Sequence, residues 1–224
     1  MSKKIKDAAN VKIEDFIVKN RKVFVCGLAV LVAVAVAVCV IFAVSDSAKK
    51  KDLAAIDSIE FSYASKSGGI EESEIASRQA KAEEALAPYL SKKNVAGVRA
   101  NMLYADIAFA KKDFSKAMDC YIKAADASRK AYTYAECMYN AAVCAEELSR
   151  NDDAVAFYKS AADEKDFYLA SHALFNAARV SETLENYSSA AELYQKAVDS
   201  YSGDEWANLS ESRLIDLKAK GKIE

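Results

Sequence analysis

Chain breakers are scarce: one proline and six glycines stand among 224 residues. That excludes collagen-like and linker-type repeats, and it argues against strands joined by tight glycine turns. The single histidine restricts chemistry as well, because one imidazole cannot be both base and orienter, nor build a histidine-rich metal site. No glycine-rich loop opens a helix to cradle phosphate, and no serine sits in a nucleophile elbow. Acidic pairs such as Glu146 with Glu147 and Asp152 with Asp153 read as solvated faces and helix caps. No stretch after Glu71 alternates β-branched residues. The expected fold class is all-α and non-enzymatic, with no cofactor, no metal and no small-molecule substrate.

Five cysteines do not make a disulfide framework. Cys26 and Cys39 lie in an apolar run, leaving Cys120, Cys137 and Cys144. The last two, on one helix, stand about 10 Å apart, too far for a bridge. At most one bond involving Cys120 is open, and free buried thiols are the expectation.

What the chain does have is an uninterrupted apolar run, Val23 to Val44, without a charge, amide or hydroxyl. A helix of that length spans about 33 Å, the thickness of a bilayer's hydrocarbon core. A buried central helix is the alternative, but such helices seldom carry charge clusters at both ends. A cleaved signal peptide, with Ala43 and Ser45 as small residues, and a lipidated Cys39 preceded by Val38 both fit less well. Of 31 basic and 33 acidic residues, positions 1–22 hold seven and three, leaving 24 and 30 beyond. The basic flank outweighs Lys49, Lys50 and Lys51, so the N-terminus is expected in the cytoplasm and the body outside it. Anionic lipid heads suit the basic segment. No basic stripe interleaved with aromatics suggests nucleic acid.

The expected organisation has four parts. Residues 1–22, with Ile5, Val11, Ile13, Phe16 and Ile17 at helical spacing, form a basic amphipathic segment, and 23–44 the span. Residues 45–69 continue with Leu53, Ile56, Ile59 and Tyr63 as a stalk or first docking helix, ending in a hinge at Ser65 to Gly69. Residues 70–224 form a helical domain, in which Pro88 kinks or ends its helix.

That domain repeats. Ala117, Tyr121 and Ala124 recur as Ala154, Tyr158 and Ala161, and again as Ala190, Tyr194 and Ala197, at intervals of 37 and 36 residues. Twelve residues before each leading alanine stands another: Ala105, Ala142 and, at the same place, Ala178. Small residues let two antiparallel helices approach closely while the tyrosine fills the space between units. A helix around Trp206, Leu209, Arg213, Leu214 and Leu217 is expected to cap the last unit.

The pattern resembles the tetratricopeptide repeat family over Val98 to about Asp204, with Phe114, Asn151 and Tyr187 where that family carries an aromatic. The units are longer than usual, the family's glycine is alanine, and the closing proline is missing. The resemblance implies an α-solenoid whose first helices line a concave protein-binding groove. Its outward positions here are Arg99, Met102, Asp106 and Phe109; Glu136, Tyr139, Asn140, Val143 and Glu146; and His172, Phe175, Asn176, Arg179 and Glu182. Met102, Tyr139 and Phe175 would form an apolar strip for an extended or helical peptide. Packing of those aromatics against the stalk or a cap is the alternative. The clamp with which some family members hold a C-terminal carboxylate wants basic or amide residues where this chain has Met102, Asp106 and His172. Such a carboxylate is therefore not the expected ligand.

The layout as a whole, a basic stub, one span and an exported repeat domain, resembles the ancillary Sec translocon subunit family. That resemblance implies a bacterial inner-membrane scaffold with its C-terminal domain in the periplasm, binding a translocon subunit or membrane-tethered chaperone. A coordinator of envelope assembly or cell division is the alternative.

Overall fold

The computed structural model describes residues 16, 18–64 and 71–224. The segment through 15, residue 17 and the hinge at 65–69 lie outside the described residues. Among the described residues, nine α-helices and one short 3₁₀ turn lie between Arg21 and Ala219, and there is no strand. The chain divides into two units near Lys50.

The first unit holds most of α1 (Arg21–Ala64). Its side chains from 23 to 44 are exposed. This helix is long and apolar enough to cross a membrane, and none of its most apolar window is buried within the protein. A soluble core helix would be covered; this one carries its apolar surface unsheltered.

The second unit, Lys51–Glu224, begins inside α1. Ile56 is fully buried, and Leu53, Ile59 and Tyr63 pack against the core. Arg99 Nη2 lies 2.9 Å from both Asp57 Oδ1 and Glu60 Oε2. Of the two expectations for this tract, stalk or first docking helix, residues 51–64 take the second, and the compact unit starts at Lys51. Next, α2 (Glu72–Leu86) gives way to a 3₁₀ turn at Ala87–Tyr89. Pro88 sits in that turn, where its missing N–H cannot continue the helical ladder.

Three hairpins follow. They are α3 (Val95–Ala110) with α4 (Phe114–Ala127), α5 (Thr133–Glu147) with α6 (Asn151–Ala162), and α7 (Ala170–Thr183) with α8 (Tyr187–Ser200). Each helix packs on its neighbours in sequence, and α9 (Glu205–Ala219) covers both α7 and α8. Asn94 starts α3 by accepting from Ala96 N at 3.0 Å and Gly97 N at 3.2 Å, which satisfies two donors the helix cannot. Gly97 itself is required: a Cβ there would lie 1.7 Å from the Lys92 carbonyl oxygen.

The hairpin turns are copies of one another. Lys112, Ser149 and Glu185 take φ of 62°, 56° and 58°. The next N–H then reaches back: Asp113 to Ala108 O, Arg150 to Ala145 O and Asn186 to Ser181 O, at 2.9, 2.8 and 2.9 Å. This closure satisfies carbonyls that the helix end leaves open.

Packing bears out the repeat. Ala105, Ala142 and Ala178 on the first helices, and Ala117, Ala154, Ala190, Ala124, Ala161 and Ala197 on the second, are all fully buried. Tyr121, Tyr158 and Tyr194 are buried beside them. At each close approach a methyl group is all that fits.

Candidate functional site

The groove positions on α3, α5 and α7 divide into two halves with different fates. In the C-terminal half, the ring of His172 stacks on Trp206 of α9, with centroids 3.6 Å apart and planes 11° from parallel. Phe175 is buried between Trp206 and Tyr194, its centroid 5.3 and 5.7 Å from theirs. The Tyr139 hydroxyl lies 3.0 Å from His172 Nδ1 and accepts from Asn176 Nδ2 at 3.1 Å. Arg179 donates to Glu146, and Arg213 of α9 pairs with Glu182. The continuous apolar strip of Met102, Tyr139 and Phe175 is thus corrected. Tyr139, His172, Phe175, Asn176 and Arg179 serve the stacking of one hairpin on the next, and the capping helix brings the only tryptophan down onto His172 and Phe175. Leu209, expected on the covering face of that helix, is instead 43% exposed.

His172 feels this enclosure: burial first, then the Arg179 charge, hold its pKa below the ordinary value of 6.5, with Asp204 opposing. The buried hydroxyls of Tyr158 and Tyr194 donate to Glu146 at 2.7 Å and Glu182 at 2.6 Å, and the pKa of each is raised by burial first. Cys137 and Cys144 are pushed up to about 12, chiefly by burial, so neither offers a thiolate at neutral pH.

In the N-terminal half, a cleft of about 590 Å³ opens between the start of α3, the start of α5 and Leu53 of α1. Val95, Val98, Met102 and Tyr132 supply its apolar lining, and Arg99 and Glu136 its charges. Asp106 stands nearby, its Oδ1 accepting from the Tyr121 hydroxyl at 2.5 Å. Burial raises the Asp106 pKa, Tyr121 opposes, and Glu60 adds to the rise. Glu136 is raised too, by burial and then by Asp106. The Glu136 carboxylate on the cleft wall, with Asp106 acting on it from nearby, makes this half-apolar cleft an acceptor for positive charge. Phe109 packs edge-on against Phe114 at 5.3 Å, while Asn140 and Val143 are half-buried.

Sequence reasoning missed Leu53, Val95 and Tyr132 as cleft residues. A signal for Tyr132 exists: Tyr168 follows it 36 residues on, at the same place ahead of the next hairpin. No group of three or more histidine, cysteine or acidic side chains among the described residues has metal-site geometry.

Stacked alanine-notched hairpins, a helical cap and a peptide-sized cleft define a helical-repeat binding protein. Two stretches, 98–130 and 164–205, match tetratricopeptide repeat families. The intervening hairpin buries the same alanines and tyrosine. A "TPR repeat-containing protein" of Treponema pallidum (strain Nichols) is 35% identical over 117 residues, covering 52% of this chain and 49% of the relative. The chain thus spans about half the length of the curated relative it matches. The matches support tetratricopeptide repeats in this unit, at residues 98–130 and 164–205.

Proposed function

We propose that this protein is a non-catalytic scaffold, anchored in a membrane by α1, whose repeat unit holds a protein partner of the cell envelope. The carrying observation is the cleft at Met102, Tyr132 and Glu136, open while Trp206 covers His172 and Phe175 at the other end of the groove. Arg99, Met102, Asp106, Phe109, Glu136, Asn140 and Val143 are the binding residues in this reading. The basic flank of the span supports an N-terminus in the cytoplasm of a bacterium and a repeat unit beyond the inner membrane. The layout supports a place at the Sec translocon beside a membrane-tethered chaperone.

Photo-crosslinking in intact membranes tests the reading. A photoreactive residue at Met102 is expected to trap a translocon or chaperone component, and one at Phe175 to trap nothing. Trapping from Phe175 alone would overturn the site. Trapping of division or wall-assembly proteins from Met102 would replace the translocon assignment with the envelope-coordinator one. Labelling of an engineered C-terminal cysteine by an impermeant reagent checks the topology, and protection of that cysteine in whole cells would refute it.

A further inference from the structure

A second cleft, of about 350 Å³, lies on the other side of Tyr132 and includes Ala135, Glu136, Phe167 and Tyr168 in its lining. Tyr132 and Glu136 belong to both clefts. Val95, Tyr132 and Tyr168 occupy one register, at the start of successive hairpins, and are 54%, 88% and 79% exposed. Tyrosines that bare contribute little to the fold's packing, Tyr168 keeping one edge-on contact with Phe167 at 5.5 Å. Together the clefts form a trough along the loop edge of the repeats, with Tyr132 as its central ridge.

Charge selects the occupant. The exposed pairs Lys130 and Lys165 against Glu164 and Asp166 cancel along the second cleft. Arg99 is already shared between Asp57 and Glu60. That leaves Glu136, with which no basic side chain forms an ion pair among the described residues, and which has Asp106 beside it. An anionic lipid head or nucleic-acid backbone would meet that carboxylate with repulsion. An extended polypeptide places alternate side chains about 7 Å apart on one face, suiting two clefts divided by a ridge. A cationic side chain can also lie against the face of a tyrosine.

Reach limits where the occupant works. Leu53 lines the first cleft and follows Val44 by nine residues, a tether of about 30 Å even if fully extended.

Resting on the reading that the repeat unit binds protein, we propose that this trough holds an extended, lysine- or arginine-bearing segment of a membrane-associated protein. Its cation sits on Glu136 and its apolar side chains lie to either side of Tyr132.

The test uses the full chain in uncharged detergent and fluorescent nine-residue peptides of alternating leucine and serine, with lysine or glutamate at the centre. The lysine peptide is expected to bind about tenfold tighter than the glutamate one, the scale of a partly desolvated charge contact. Glu136→Lys should reverse that preference, Tyr132→Ala should weaken both peptides, and Asp152→Lys, on α6, should change neither. Equal binding of the two peptides, or a preference that survives Glu136→Lys in a protein with unchanged helicity, overturns the proposal. If Met102 still traps a partner in membranes when the peptides show no preference, only this proposal fails; if neither is seen, the scaffold reading fails with it.

Discussion

Arg179 on α7 reaches back one hairpin to set its Nη2 2.7 Å from both carboxylate oxygens of Glu146 on α5. The same carboxylate accepts from Tyr158 of α6, so one group ties three helices together. One hairpin further, Glu182 does the same with Tyr194 of α8 and Arg213 of α9. Between the first two hairpins the lock is missing, because Phe109 stands where Glu146 would and Val143 where Arg179 would. The unlocked junction is the one that opens into the larger cleft.

Removing Arg179 leaves the partly buried Glu146 carboxylate with only the Tyr158 hydroxyl against its charge. Arg179→Met is expected to cost about 1–3 kcal/mol, lowering Tm by roughly 2–10 °C. Partner trapping from Met102 should persist. Thermal melts by circular dichroism read the first outcome; a Tm within 1 °C of wild type would mean that the bridge contributes nothing net.

Phe175 and Met102 were expected to play the same part, and the structure separates them. Phe175→Ala removes a ring enclosed by Trp206 and Tyr194 and should destabilise by about 3–5 kcal/mol. Met102→Ala, at a half-buried position on the cleft, should cost well under that and reduce partner capture. Chemical denaturation of both variants checks the contrast, which fails if the two midpoints shift equally.

Ala154 is fully buried at the approach of α6 to its neighbours. Ala154→Leu forces three extra carbons into a closed contact and should cost about 1–3 kcal/mol. An unchanged denaturation midpoint would refute the packing register.

His172 gives the second unit an acid-sensitive contact. Its folded pKa lies below 6.5 through burial and the Arg179 charge, so near pH 6 the unfolded chain binds more protons than the native one. Stability contributed by the neutral ring is present above 6.5 and lost as pH falls toward the folded value. The stack on Trp206 and the bond to Tyr139 should therefore weaken between pH 7 and 5. In His172→Gln the fall in Tm over that interval should be shallower than in wild type, and equal slopes would exclude the histidine as its source.

Glu136 carries the opposite sign. Its folded pKa is raised by burial and Asp106, so its ionised form opposes folding at neutral pH. Glu136→Gln should melt at or above wild type at pH 7, and that advantage should shrink as pH falls through the carboxyl range. A lower Tm at pH 7 would show that the carboxylate is a structural group rather than one held for a ligand.

Much of this was legible along the chain. The span announced itself by composition. The hairpins did so through Ala105, Ala142 and Ala178 and the A-x3-Y-x2-A notches, because burial at a helix contact tolerates only small groups and so leaves a period in the sequence. The end of α2 at Pro88 followed from a missing donor.

The groove was less readable. Met102, Tyr139 and Phe175 share one register, but register says only that side chains share a face, not what else lies against that face. Trp206 was recognised as part of a cap; that its indole would cover His172 and Phe175 depends on where α9 crosses α7. Likewise, residues 51–64 joined the repeat unit through Ile56, Asp57 and Glu60, contacts between segments about forty residues apart.

By itself, then, the sequence determined one apolar helix of bilayer length and three alanine-notched hairpins, since these follow from hydrophobic periodicity and side-chain size, which are local. Only the tertiary structure decided which outward positions stay open. That outcome was set by the docking of α1's end and of α9 onto the two ends of the stack, where burial of Ile56 and Trp206 outweighs leaving the end hairpins bare.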